Sequence, residues 1–169
     1  MNIISIILGN ICSLLAMATD SISSTRKTPK SVLWVQNASQ LFYCIGAIIL
    51  KGYSGAVQNV VSIIRNLIVI RDINSRFLEW TLLILGVFLG LFFNNLGWVG
   101  LLPVIANLQY TIAVFKFHDN ERAIKVSFML GAVMFSVFSL AIWNIVGLFT
   151  NLVVGVTTAV YLIKTRASA

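Results

Sequence analysis

The chain of 169 residues is 59% hydrophobic and only 10% charged, and its mean hydropathy is +0.94. A water-soluble domain carries about 25% charged residues, because its folded surface has to stay hydrated. The apolar residues form runs too long for a core of this size to bury, so their solvent has to be lipid. The composition therefore excludes a soluble domain and predicts an integral membrane protein.

The formal net charge of +7 would suggest a nucleic-acid partner in a soluble protein. In a membrane protein, the same excess is typical of cytoplasmic loops, whose Lys and Arg residues set orientation and meet anionic headgroups. We therefore expect membrane lipid, and no nucleic acid, as the partner of the basic residues. Cys12 and Cys44 lie within apolar runs and have no metal-ligand spacing. No metal and no cofactor is predicted.

Apolar runs separated by charged or turn-rich breaks predict seven transmembrane helices. Backbone groups cannot stay unpaired in hydrocarbon, and the alternating pattern of a β-barrel is absent, so each run is expected to be helical. The predicted all-α fold has helices at 3–19, 32–50, 56–70, 80–95, 98–115, 124–142 and 147–163. All five acidic residues, Asp20 among them, are predicted to lie in the breaks.

Basic residues alternate between successive breaks. Ten of the twelve lie in or beside the first, third and fifth breaks and the C-terminal tail, whereas the other breaks hold only Lys51. Because loops rich in Lys and Arg stay in the cytoplasm, this alternation predicts an N-terminus outside and a C-terminus inside. The charges follow the first apolar run instead of preceding it, so that run is predicted to be a retained helix and not a signal peptide.

A weak internal repeat accompanies this layout. A shift of 92 residues aligns Gly55-Ala-Val-Gln58-Asn59 with Gly147-Leu-Phe-Thr150-Asn151. Span, basic loop, span, short external turn and span occur twice, around a linker helix of low polarity. The repeat predicts two parallel triple-helix bundles at 1–72 and 98–169, joined by a linker helix within 73–97. A chance division of any seven-helix protein is the competing interpretation.

Two stretches carry a resemblance to a known family. They are Gly55-x-x-x-Asn59-x-x-x-x-x-Arg65-Asn66-Leu67 and Leu102-Pro103-x-x-x-x-x-x-x-Thr111-x-Ala113. Together with the 3+1+3 pattern, they resemble the YgjV-like bacterial inner-membrane family, near the fold group of SWEET sugar facilitators, PQ-loop transporters and the KDEL receptor. The resemblance implies a multi-pass protein of the bacterial cytoplasmic membrane, and it carries no catalytic motif.

Polar side chains recur on one face of each predicted helix except the linker. Polar groups are costly in lipid and normally face the bundle interior or a water-filled path. Asn10, Asn37, Tyr43 and Trp143 belong to these faces. The competing interpretation is that such groups hydrogen-bond between helices, for about 1–2 kcal/mol each, without lining a cavity. The predicted substrate-binding residues are Gln36, Gln40, Gln58, Asn59, Arg65, Asn66, Asn107, Tyr110 and Asn151.

Arg65 is the one basic residue within a predicted span. Its guanidinium can snorkel to the cytoplasmic interface, pair with a loop-proximal carboxylate such as Asp20, or contact an anionic group of a substrate. Gly86-x-x-x-Gly90 on the linker helix is a packing pattern for another helix of the chain or for a second protomer, which would make a homodimer.

The predicted function is transport or facilitation of a small solute. Asn and Gln each offer donors and acceptors, which suits a neutral or zwitterionic polar solute. With no acidic residue predicted within a span, uniport is favoured over proton coupling. No nucleophile–base pair, metal-ligand cluster or phosphate loop is present, so no enzymatic activity is predicted. A non-transporting membrane receptor or partner subunit of the same fold is the alternative.

Overall fold

The computed structural model describes residues 2–24, 29–73, 75–117 and 120–167. These residues form seven α-helices and a short 3-10 helix, Val99–Leu101, and they contain no strand. The seven predicted helices are confirmed, although the first two extend further into the break between them. The helices are α1 (Ile3–Ser24), α2 (Pro29–Ile49), α3 (Tyr53–Ile70), α4 (Arg76–Phe92), α5 (Leu102–Lys116), α6 (Glu121–Ala141) and α7 (Ile145–Ala167).

Asp20 lies within α1, so the prediction that all acidic residues lie in breaks is wrong for this residue. In the sequence, the carboxylate of Asp20 at the end of an apolar run indicates the end of a helix. A neighbouring helix stabilises it instead, because the Ser39 hydroxyl of α2 donates a hydrogen bond to Asp20 Oδ1. The same prediction is also wrong for Glu79, which lies in the first turn of α4, and for Glu121, which is the first residue of α6.

Six of the helices form a closed ring in chain order. α1 packs on α2, α2 on α3, α5 on α6 and α6 on α7, while α3–α5 and α1–α7 contacts close the ring. α4 lies outside this ring, against α3 and α5. Consecutive packed helices run antiparallel, so α1, α3, α5 and α7 all end on one side. We name this side the basic end, because Lys30, Arg71, Arg76 and Arg122 lie there, and the other side the opposite end.

The polarity of the bundle is the reverse of that in a soluble protein. Ile3 of α1 and Phe77 of α4 are 70% and 78% exposed, whereas Ser39, Gln58 and Asn107 are buried. Water would not solvate such a surface, but lipid does. Four helices, α1, α3, α6 and α7, are long and apolar enough to cross a membrane. The structure therefore has the surface of a membrane protein.

Gly86 and Gly90 allow α4 to pack closely against α3 and α5 of the ring. A Cβ atom at Gly86 would lie 3.3 Å from Val61 Cγ1 of α3. A Cβ atom at Gly90 would lie 2.6 Å from both Gln58 Nε2 of α3 and Val104 Cγ2 of α5. A side chain at Gly90 would force its neighbours to move, and one at Gly86 would be tightly packed, so the small-residue pattern packs against helices of the same chain.

The turns after α2 and α6 have the same geometry. Lys51 and Trp143, 92 residues apart, both adopt the left-handed conformation, with φ of 58° and 60°. In each turn, the amide of the next residue donates to the carbonyl five residues before it, at 2.7 Å in the first and 2.8 Å in the second. These two features together define the Schellman motif at the C-terminus of a helix. The division of the chain into 1–72, 73–97 and 98–169 stays a prediction.

The α4 contact predicts different outcomes for two glycine substitutions. Gly90→Ala should lower the free energy of unfolding by about 1–3 kcal/mol, because the new methyl group overlaps Gln58 and Val104. Gly155→Ala is the control, since its Cβ would lie 3.8 Å from Ala132 Cβ, an ordinary contact. Thermal unfolding of the purified protein in detergent measures both, and equal stability of the two variants would contradict this packing.

Candidate solute-binding cavity

A cavity of about 640 Å³ lies inside the ring. All six ring helices contribute to its wall, and α4 contributes none of the lining residues. Small-molecule sites typically measure about 300–1,000 Å³, so the volume suits a small solute. The polar part of the wall comprises Asp20, Gln36, Gln40, Tyr43, Gln58, Asn59, Ser62, Arg65, Asn66, Asn107, Tyr110, Ser139, Asn144, Thr150 and Asn151.

The nine residues predicted to bind substrate all lie on this wall. Their contact with a substrate stays a prediction, but their convergence on one space is a property of the structure. Asn59 and Asn151 come from α3 and α7, which occupy opposite positions in the ring.

Other residues of the predicted polar faces lie outside the cavity. Asn37 is buried beside it, and neither polar atom of its side chain has a hydrogen-bond partner in the described part of the chain. Trp143 is 60% exposed on the turn after α6, so its predicted inward position is wrong. Asn10 bonds the backbone of this turn, donating to the Trp143 carbonyl and accepting from the Val146 amide, each at 2.9 Å. Periodicity alone could not separate these uses of a polar face.

Sequence reasoning missed Asp20 as a residue of the cavity wall. A signal was nevertheless present, because Gly9, Ser13 and Ala16 precede it at helical spacing, and all three are buried. This stripe of small residues continues to Asp20 at the same period. The stripe therefore indicated that the buried face of α1 continues to Asp20, one residue beyond the predicted end of the helix.

Gln58 and Asn107 link three helices through buried hydrogen bonds. Gln58 Nε2 donates to the Gly86 carbonyl of α4 at 2.8 Å, and Asn107 Nδ2 of α5 donates to Gln58 Oε1 at 2.8 Å. Both side chains are at most 9% exposed. These two residues therefore hydrogen-bond between helices, as the competing interpretation of the polar faces predicts, although both also line the cavity. The network fixes α3, α4 and α5 together as one wall.

Arg65 extends this network into the cavity. Its Nη1 atom donates to Asn107 Oδ1 at 3.3 Å and to Thr111 Oγ1 at 3.4 Å. Its Cζ atom lies 5.6 Å from the centroid of the Tyr110 ring, a cation–π distance. Among the described residues, no carboxylate lies within 4.0 Å of the guanidinium. Arg65 therefore contacts neutral groups of α5 and does not snorkel to the loop beside Asp72, which pairs with Lys30.

An apolar cluster lies at the opposite end of the ring. Leu50, Phe138 and Ile142 are each at most 3% exposed and pack together. The Phe138 ring packs against α3 at Gly55, because a Cβ atom at Gly55 would lie 2.6 Å from Phe138 Cε1. Helices α2, α3 and α6 are therefore in tight apolar contact at this end.

The apolar exterior, the helices long enough to cross a bilayer and the polar cavity define a helical integral membrane protein with an internal solute-sized space. Residues 7–168 match the model of the Imp-YgjV family, described as a bacterial inner membrane protein, and the chain belongs to this family. It is therefore a protein of the bacterial inner membrane. No match was found among curated proteins or solved structures. The relation to the SWEET, PQ-loop and KDEL-receptor fold group stays a prediction.

The network predicts unequal effects for two adjacent side chains of α3. Gln58→Leu should lower the free energy of unfolding by about 1–3 kcal/mol, because the buried Asn107 amide loses its acceptor. Asn59→Leu should change it by less than about 0.5 kcal/mol, because Asn59 faces the cavity. Thermal unfolding of both variants provides the measurement. A larger loss for Asn59→Leu would show that the network does not hold the wall.

Proposed function

We propose that the protein is a small-solute transporter or facilitator of the bacterial cytoplasmic membrane, for a neutral or zwitterionic polar solute. The observation that carries the proposal is the cavity of about 640 Å³ with polar side chains from six helices. Interhelical hydrogen bonding accounts for Gln58 and Asn107, but Gln36, Gln40 and Asn59 line open volume. Amide side chains around such a space offer both donors and acceptors to a solute.

The proposed topology has seven spans, with the basic end in the cytoplasm. Lys30, Arg71, Arg76 and Arg122 lie at the basic end, whereas Lys51 is the basic side chain at the opposite end. The positive-inside rule then orients α1 with its N-terminus outside. Helices α2, α4 and α5 are the other three proposed spans, beside the four helices that are long and apolar enough to cross a membrane. The polar residues that α2 turns toward the cavity lower its mean hydropathy, and they are compatible with a position across the membrane.

The proposed mechanism is rocking of the α1–α3 triplet against the α5–α7 triplet around the cavity. The arrangement of the ring supports this, because α3 of one triplet lies opposite α7 of the other. Leu50, Phe138 and Ile142 join the two triplets at the opposite end. Rocking would open this apolar contact, so it would serve as the outer gate.

The argument for uniport over proton coupling does not hold in this structure. It depended on the absence of an acidic residue from the spans, but Asp20 lies in α1 and on the cavity wall. The alternative function, a non-transporting receptor or partner subunit, uses the same cavity for binding without passage. An enzymatic activity is not part of either proposal.

Filling the cavity tests the transport proposal. Asn151→Trp places an indole in the space, while the Asn151 amide bonds only the Gly147 carbonyl of its own helix. Proteoliposomes with the wild-type protein should swell in isosmotic glycerol, D-ribose, glycine or glycylglycine faster than protein-free vesicles. The variant should lose at least about tenfold of this excess rate, because the indole displaces the solute.

Leu152→Trp is the matched control, because the neighbouring Leu152 is 45% exposed on the outer surface of α7. It should leave the swelling rate unchanged. If no solute enters faster than in protein-free vesicles, while thermal unfolding shows that a solute binds, the receptor alternative replaces transport.

Cysteine labelling tests the topology. Ser54 and Asn144 are buried and unsuitable as reporters, but Lys51 and Asn95 are exposed at the opposite end, and Asp72 and Asn120 at the basic end. In a background without Cys12 and Cys44, a membrane-impermeant maleimide should label Lys51→Cys and Asn95→Cys on intact spheroplasts. Asp72→Cys and Asn120→Cys should react only after lysis, and external labelling of either would reject the orientation.

A further inference from the structure

Asp20 of α1 and Arg65 of α3 line the same cavity from helices that are not neighbours in the ring. Arg65 leans onto α5, where Asn107, Thr111 and Tyr110 surround its guanidinium. Asp20 belongs to α1, and three steps around the ring separate α1 from α5. Both residues line the same space. Among the described residues of its lining, the cavity therefore holds one basic and one acidic side chain, which come from different helices and do not form an ion pair with each other.

The two groups lie at a similar depth from the basic end. Lys30 and Asp72 form an ion pair there and mark one level of α2 and α3. Ser39, which bonds Asp20, lies nine residues beyond Lys30, which is about 13 Å along the helix. Arg65 lies seven residues before Asp72, about 10 Å along α3. Its side chain leans toward the N-terminus of α3, which moves the guanidinium further inward.

Each group is incompletely compensated by the protein. The hydrogen bonds of Arg65 to Asn107 and Thr111, at 3.3 and 3.4 Å, exceed the usual range for N–H···O bonds, and both acceptors are neutral. Asp20 is held by the hydroxyl of Ser39, and the Tyr43 hydroxyl interacts with the same carboxylate. Among the described residues, neither Asp20 nor Arg65 has an ion-pair partner within 4.0 Å.

Charged side chains inside a membrane normally pair with one another or mark the path of a charged solute. Here the two opposite charges are present but separated by the cavity. A solute that carries a carboxylate and an ammonium group would give each of these two side chains a partner of opposite charge. Its carboxylate would meet the planar guanidinium, whose fork of donors suits two carboxylate oxygens. Its ammonium group would meet the Asp20 carboxylate.

We propose that the cavity binds a small zwitterion, with its carboxylate on Arg65 and its ammonium group on Asp20. This inference rests on the proposed solute-binding function and narrows its substrate class. The amides of Gln36, Gln40 and Asn59 line the same cavity. They hydrogen-bond the polar remainder of the solute.

The test uses the full-length protein purified in nanodiscs and follows its thermal unfolding with defined probes. The probes are glycine, β-alanine, 4-aminobutyrate and glycylglycine, which separate the two charges by increasing lengths. Each is paired with its N-acetyl derivative, which lacks the ammonium group, and its carboxamide, which lacks the carboxylate. A ligand selective for the folded state raises the unfolding temperature.

At least one zwitterion should stabilise the wild-type protein. Its two derivatives should bind at least about tenfold more weakly, the factor expected from losing one charge-assisted hydrogen bond. Asp20→Asn should abolish the preference over the N-acetyl derivative while keeping the preference over the carboxamide. Arg65→Gln should do the reverse, and Arg65→Lys should retain part of the carboxylate preference because it keeps the charge. A purely structural role of either residue would not separate the two preferences.

Asp72→Asn and Arg71→Gln are the matched controls, because both residues are exposed outside the cavity. They should leave both preferences unchanged. Equal stabilisation of the wild-type protein by a zwitterion and its N-acetyl derivative would overturn the inference. So would an Asp20→Asn protein that keeps the ammonium preference but loses uptake driven by a pH gradient, since Asp20 would then be a proton site.

The outcomes also separate this inference from the transport proposal. If only glycerol or D-ribose bind and enter, with no effect of Asp20→Asn, the zwitterion inference fails and transport stands. If a zwitterion binds with both charge preferences but does not enter proteoliposomes, the inference stands and the receptor function replaces transport.

Discussion

The structure depends on one constraint: hydrocarbon cannot hydrogen-bond a polar side chain. The chain carries polar residues on helices whose remaining surface is apolar, so these residues have to face one another or a shared space. A closed ring of six helices turns many of them toward one shared cavity. α4 has almost no polar side chain, and it is also the helix that lies outside the ring. The same constraint that sorts the helices therefore creates the cavity.

The polar wall has two parts with different physical roles. On the α3–α4–α5 side, Gln58 and Asn107 are buried and bonded to neighbouring helices, and Gly86 and Gly90 allow close contact of their backbones. Around the rest of the ring, amides such as Gln36 and Asn151 line open volume. Because the bond between Gln58 and Asn107 joins α3 of one proposed triplet to α5 of the other, rocking of the two triplets would have to pivot at this wall.

Asp20 changes the functional interpretation more than any other residue. As a loop residue it would be a solvated surface charge without a role. As a residue of the cavity wall, it adds an acidic group to the cavity that Arg65 also lines, so the site is no longer simply basic and amide-rich. This one placement removes the argument for uniport and supports a solute with both charges.

Local patterns of hydropathy, charge and helical period in the sequence predict the seven helices, the basic end and most of the inward polar faces. The nine residues predicted to bind substrate accordingly lie on one wall. The hydrogen-bond partner of each polar group could not be predicted in this way, because it depends on helices distant in the chain. Asn10 bonds a turn more than 130 residues away, Asn37 is buried beside the cavity, and Trp143 points outward. Likewise Ser39, on another helix, keeps Asp20 within α1.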